Sequence, residues 1–216
     1  GLPRGALVRA RTDQIDLPEV AGVFNAEVAE VGLRDWRSWM LKSPAELAES
    51  ADGSTRAYAD PALRGRTAGA GDALERLAAR MVKTGLVVPT KRAQGVRGVR
   101  LMTVAKSNGR QRLVWDMRQS NTRFRAPPKV RLGSVGAMAQ LELGEPGFFA
   151  AAATDVPNFF YAIRMPQGFE SFVVLEGVDL QYVRGLLEAD GHDCSAWPAD
   201  ADALGAAAPL RAQVDG

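Results

Sequence analysis

Residues 105–128, AKSNGRQRLVWDMRQSNTRFRAPP, hold Lys106, Arg110, Arg112, Arg118, Arg123 and Arg125 against one acid, Asp116. Cations at this density suit contact with phosphate oxygens: a guanidinium offers a rigid fork of donors and an ammonium a mobile point charge. The wider segment 83–131 carries thirteen basic residues against that single acid, a net +12 in a chain whose total is only +2, so the remainder is −10. Two readings fit this asymmetry, a polyanion partner such as nucleic acid or nucleotide, or a solvated basic face. Further on, the apolar run GFFAAAATDV ends close to Asp155. A carboxylate at the tip of a buried strand is held and exposed as a metal ligand needs to be. As a structural residue it would instead cap the next helix. Phe159, Phe160 and Tyr161 follow it and, taken alone, read as core.

The elements that must position these groups can be read from periodicity. Residues 17–50 have apolar residues at helical spacing, including Val20, Val23, Phe24, Val28 and Val31, with Gly32 ending a first helix. Ser43-Pro44-Ala45-Glu46 has the order of a helix start: Ser as N-cap, Pro at the first helical position and Glu two positions later. Residues 51–71 are small, polar and glycine-rich, which predicts a linker. In GDALERLAARMVKTG, Leu74, Leu77, Ala78 and Met81 share one face of a helix that Gly85 closes. GVRLMTVAK and QRLVWDM then predict two strands, 99–106 and 111–117, turning at Asn108-Gly109. RAPPKVRLG is extended, SVGAMAQLEL suits a short helix, GFFAAAATDV a buried strand, NFFYAIRM a helix or turn, and GFESFVVLEGV another strand. From 185 onward the Ala/Asp/Gly-rich sequence predicts no packed element.

Bulk properties narrow the class. At 216 residues the chain can bury a core of one or two domains. No apolar run approaches the ~20 residues of a membrane span, and GLPRGALVRARTDQ has no apolar signal-like region, so an intracellular, non-membrane protein is expected. The one cysteine, Cys194, excludes an internal disulfide. His192, Asp193 and Ser195 cannot form a relay, because near-adjacent residues do not place their side chains in that geometry. Trp36, Trp39, Trp115 and Trp197 read as core or surface anchors.

Two of these stretches, in this order, resemble a known family. GRQRLVWDMRQSNTRF is similar to the fingers segment of retroelement reverse transcriptases, a basic hairpin followed by Arg, apolar residues, Asp-x-Arg and Asn. ATDVPNFFYAIRMP resembles the first palm motif of that family, and ALERLAARMVKTGLVVPT its lead-in helix. The resemblance covers residues 74–175 and implies an RNA-directed DNA polymerase, a nucleotidyltransferase that uses Mg²⁺, an RNA template, a primer duplex and deoxynucleoside triphosphates. Carried over by residue, Arg112 matches the fingers arginine at the triphosphate and Lys106 the hairpin lysine. Asp116, Arg118 and Asn121 match the segment behind them, where Asp116 and Arg118 orient either one another or the template. Asp155 matches the metal-binding and catalytic aspartate, Val156 offers its carbonyl to the same ion, and Phe160 matches the residue beneath the sugar, where a ring favours deoxynucleotides. Pro157 has no N–H to give a phosphate.

The family's second metal-binding motif contains an Asp-Asp pair, and no two aspartates are adjacent anywhere in this sequence. Asp200-Ala201-Asp202 is the nearest approach. Two-metal phosphoryl transfer needs more than one carboxylate. The expectation is therefore an α+β chain holding part of the fingers and palm of a right-hand polymerase: N-terminal helices and a linker in 1–71, a basic β-hairpin and the start of an antiparallel palm sheet in 72–184, and a disordered tail in 185–216. The polymerase motifs are expected to stop near residue 178, leaving the chain inactive alone. The alternatives are a non-catalytic nucleic-acid-binding module that uses the hairpin, or an α+β domain that carries neither activity.

Overall fold

The computed structural model describes residues 7–17, 36–49, 60–63, 65–66, 71–126 and 168–207. Strands β1 (Leu7–Val8), β2 (Ile15–Asp16), β4 (Arg100–Ala105) and β5 (Gln111–Asp116) form one sheet in the order β1-β4-β5-β2. Strands β3 (Val87–Thr90) and β6 (Ala203–Ala206) pair antiparallel in a second, smaller sheet. The helices are α1 (Trp36–Met40), α2 (Pro44–Glu49), α3 (Ala73–Lys83), α4 (Arg118–Asn121) and α5 (Leu180–Ala189). The protein is thus mixed α+β. Among the described residues no helix is long and apolar enough to cross a membrane.

The hairpin has the expected position, but its register is shifted by one residue from that of a two-residue turn at Asn108-Gly109, with Arg100 opposite Asp116 and Ala105 opposite Gln111. Its turn is one residue longer than a tight Asn-Gly hairpin. Gly109 N–H donates to the Lys106 carbonyl at 3.1 Å and Lys106 N–H to the Arg110 carbonyl at 2.9 Å, so residues 107–109 form the loop. Gly109 takes the left-handed conformation at its end (φ 76°), which glycine adopts without strain. Alternation sends Leu101, Thr103 and Leu113 into the core, where they join Ile15 of β2. Each such buried Leu or Ile contributes about 1.5–3 kcal/mol.

The N-terminal segment straddles the hairpin. β1 lies antiparallel to β4 and β2 lies parallel to β5, so residues 9–14 cross from one edge to the other. Asp60 fixes the incoming side, accepting from Ala10 N–H at 3.0 Å and Ala62 N–H at 2.9 Å. Arg80 of α3 fixes the other, donating to the Thr12 carbonyl and to the Ile15 carbonyl at 3.2 Å.

Helix ends follow their local sequence. Ser43 Oγ accepts from Glu46 N–H at 3.2 Å while the Glu46 carboxylate accepts from Ser43 N–H at 2.7 Å, a complete capping box. α3 closes on Gly85 (φ 72°), with Gly85 N–H donating to Val82 and Leu86 N–H to Met81, the two bonds of a Schellman motif. Leu74, Leu77, Ala78 and Met81 are buried, as their spacing predicts.

Two segments differ from the sequence reading. Residues 168–178 do not form a continuous strand: Phe169–Ser171 wind into a 3-10 turn after Gly168 (φ 85°). The turn places Phe169 and Phe172 against Trp36 and Phe124, with ring centroids 5.4–6.5 Å apart. Only then does the chain extend, and Val174 and Leu175 bridge β6 and Val99, which joins the two sheets. The second correction concerns the expected disordered tail. Asp179 caps α5 by accepting from Tyr182 N–H at 3.1 Å, and Gly191 closes it with a second Schellman pair. Leu187 of α5 and Leu204 of β6 are fully buried in the core that also holds Ile15, Leu77 and Leu113. Apolar residues at a few well-spaced positions suffice to seat these elements despite the surrounding Ala, Gly and Asp. The expected helix over 134–143, the strand ending near Asp155 and the segment behind it lie outside the described residues, as do 18–35 and most of 51–71.

Candidate functional site

Six of the thirteen cations in the basic segment are matched by carboxylates that lie far away in sequence. Lys83 Nζ meets Asp190 at 2.6 Å, Lys91 meets Asp202 at 3.4 Å, Arg92 meets Glu176 at 3.5 Å and Arg125 meets Glu46 at 2.9 Å. Five distant carboxylates, Asp16 among them, thus offset part of the local +12 within the fold. Among the described residues, Arg97, Arg100 and Arg112 are exposed and have no ion pair with a carboxylate.

Lys106 and Arg112, the two cations expected to contact phosphate, stand on one face of the hairpin. Val104 lies opposite Arg112, and Lys106 follows Val104 by two residues, so alternation aims both side chains the same way. Asp16 of β2 lies opposite Arg112 on that face. Its carboxylate accepts from Lys106 Nζ at 2.5 Å and from Arg110 Nε at 2.6 Å. These contacts, Lys106's first, hold the Asp16 carboxyl below the ordinary aspartate range. Lys106 is thus placed at the hairpin tip by a residue of the N-terminal segment.

Behind the hairpin, Asp116 and Arg118 bind one another. Arg118 Nε donates to Oδ1 at 2.8 Å and Nη2 to Oδ2 at 2.6 Å, which raises the guanidinium's pKa. Of the two roles open to this pair, mutual orientation is the one the geometry displays. Asn121 ends α4 on the surface, its N–H donating to the Met117 carbonyl at 2.7 Å. Arg125 anchors the segment to α2 through Glu46 and also donates to the Ser38 carbonyl. Asp155, Val156 and Phe160 lie outside the described residues. Among the described residues no group of three or more His, Cys, Asp or Glu could hold a metal ion.

Sequence reasoning passed over a cleft of about 530 Å³ at the hairpin tip. Arg9, Arg11 and Gln14 line one side, and Lys106, Gly109 and Arg110 the other. The buried Gln111 carboxamide holds the first side in place: Nε2 donates to the Arg9 carbonyl at 2.9 Å and Oε1 accepts from Arg11 N–H at 2.7 Å. The alternation in LVRAR, with Ala10 buried between exposed Arg9 and Arg11, was the signal available in the sequence.

Compared with protein-family models, curated proteins and solved structures, the chain matches none.

Proposed function

We propose that this chain carries the fingers hairpin and first palm motif of a retroelement-type reverse transcriptase, and that the hairpin binds the phosphates of nucleotide or nucleic acid. The observation that carries the reading is the placement of Lys106 and Arg112 on one face of an antiparallel hairpin, with the Asp116–Arg118 pair directly behind it. Catalysis of this kind depends on cationic donors and metal ions around the transferring phosphoryl group. Lys106 and Arg112 would supply the donors. Asp155, with the Val156 carbonyl, would supply one ligand set for Mg²⁺, and Phe160 would lie under the sugar; these three enter by sequence resemblance alone. The second reading is a nucleic-acid-binding module that uses the hairpin without catalysis.

Binding of an RNA–DNA primer–template, followed by fluorescence anisotropy across a salt series, tests the reading. Substituting both Lys106 and Arg112 with Ala should weaken binding and reduce the salt slope by about 0.9 for each phosphate no longer neutralised. An unchanged slope would make the segment a solvated face. Both readings expect no deoxynucleotide incorporation by these 216 residues, so binding of a deoxynucleoside triphosphate through Lys106 and Arg112 would select the first reading and binding of nucleic acid alone the second.

A further inference from the structure

We infer that the cleft at the hairpin tip is a binding site for the sugar–phosphate backbone of a single nucleic-acid strand, with Asp16, outside the cleft's lining, as the counter-ion that Lys106 and Arg110 already hold. This rests on the polyanion reading and extends it to a part of the chain outside the resemblance, the N-terminal segment.

Four cations line the cleft, Arg9, Arg11, Lys106 and Arg110. Their positions are set by independent parts of the fold. Gln111 pins the backbone at residues 9 and 11, and the turn hydrogen bonds fix residues 106 and 110. Arg9 and Arg11 have no ion pair with a carboxylate among the described residues and are exposed. Arg11 is extended (φ −119°, ψ 102°). Side chains two residues apart on an extended backbone leave the same face about 7 Å apart, which suits successive phosphates better than one phosphate group. A volume of about 530 Å³ likewise exceeds what a single phosphate needs.

Asp16 binds the other two cations at 2.5 and 2.6 Å. The cleft's lining holds four cations and no carboxylate, and Asp16, which binds two of them from outside that lining, leaves a surplus of positive charge. A strand phosphate entering between Lys106 and Arg110 would take the place of the Asp16 oxygens, exchanging one set of charge-assisted hydrogen bonds for another. The cost of separating Asp16 from its partners would lower affinity uniformly, whatever the base sequence, because no base edge is read.

The test uses the full 216-residue chain and a short single-stranded RNA, with inorganic tripolyphosphate as competitor. The Arg9→Ala/Arg11→Ala double variant should bind the strand at least several-fold more weakly and show a salt slope lower by about 1.4, at roughly 0.7 per phosphate on a single strand. Its thermal midpoint should be unchanged, because the Gln111 bonds go to backbone atoms. Asp16→Asn should bind the strand more tightly. Tripolyphosphate should displace the strand only weakly; full displacement at matched phosphate concentration would show a site for free phosphate instead. If the chain binds the strand but the double variant binds equally well with the same slope, this assignment is wrong while the hairpin reading stands. If the unaltered chain binds neither strand nor primer–template, the hairpin reading itself fails.

Discussion

The Asp116 carboxylate receives both prongs of the Arg118 guanidinium, with the aspartate side chain 2% exposed and the arginine 48% exposed. A buried carboxylate is held charged by such a two-pronged partner, and the geometry needs the planar fork that only arginine provides. Arg118→Ala is expected to lower the thermal midpoint, and Arg118→Lys to restore part of it. The check is thermal unfolding read alongside nucleic-acid affinity. A lowered affinity with an unmoved midpoint would mean that the pair serves the template instead.

Glu46 gives a prediction in pH. Its pKa is lowered to about 2, first by the Arg125 guanidinium and then by the backbone N–H and hydroxyl of Ser43. The ordinary value is 4.5. A carboxyl depressed in the folded state contributes stability that is fully present above its unfolded pKa and is lost as pH falls through the folded one. The window is therefore about pH 4.5 down to about 2. Glu46→Gln should flatten the acid side of a stability–pH curve in that window. An identical curve would show that the capping box and Arg125 contacts add nothing in solution.

The parts of the fold legible in the sequence are those whose cause is local. Ser43 and Glu46 are three residues apart, Gly85 follows its own helix, and the hairpin is set by a turn and two adjacent runs. Asp16 meets Lys106 across 90 residues, and Gln111 holds Arg9 across 102; no window of sequence contains either pair. The same distance explains why the +12 segment overstated the free charge, since its counter-ions are Asp190, Asp202, Glu176, Asp16 and Glu46. For α5 the signals were local and were outweighed by composition: an N-cap at Asp179, a closing Gly191, and Val183 with Leu187 on one face.

That helix and β6 make the third prediction. Leu204 is fully buried between Pro89 on β3 and the Val174–Leu175 segment, to which it gives its carbonyl. Leu204→Ala should cost about 2–5 kcal/mol, the range for truncating a buried leucine. Chemical denaturation measures it. A loss near zero would place residues 203–206 outside the cooperative core.

Glu75 makes the fourth. The side chain is fully buried on α3, and Oε1 accepts from Arg66 N–H at 2.8 Å and Asp179 N–H at 3.3 Å, while Oε2 has no hydrogen-bond partner among the described residues. It ties the 65–66 loop to the start of α5. Glu75→Ala would strand two amides in the interior, at roughly 1–3 kcal/mol for an unsatisfied buried group. Glu75→Gln keeps the accepting oxygen and should cost less. Equal losses from the two substitutions would show that packing of the side chain, rather than its bonds, is what matters.

The last prediction concerns chemistry. Residue by residue, Asp155 is the one carboxylate that matches the metal site of the resembled polymerases, and residues 1–216 contain no Asp-Asp pair. Mg²⁺ dehydrates reluctantly, keeps several waters and binds weakly to a single side chain. Two-metal transfer needs one ion at the attacking 3′-oxygen and another at the leaving oxygen. With ligands for only one, the developing charge at the other oxygen goes unstabilised, and that electrostatic contribution is usually the largest in catalysis. The 216-residue chain is therefore expected to extend no primer on an RNA template, with or without Asp155→Ala, while still binding that template through Lys106 and Arg112. The measurement is primer extension with Mg²⁺ in parallel with the binding assay. Extension that disappears with Asp155→Ala would show a second carboxylate set elsewhere in the chain, and Asp200 and Asp202 are the first to substitute. Asp202 is already engaged, since it binds Lys91 at 3.4 Å and accepts from the Arg92 N–H at 2.7 Å; the Arg92 amide first, and Lys91 with it, hold its pKa below the ordinary range. Metal binding there would have to displace Lys91, so raising the Mg²⁺ concentration would separate that route from one centred on Asp155.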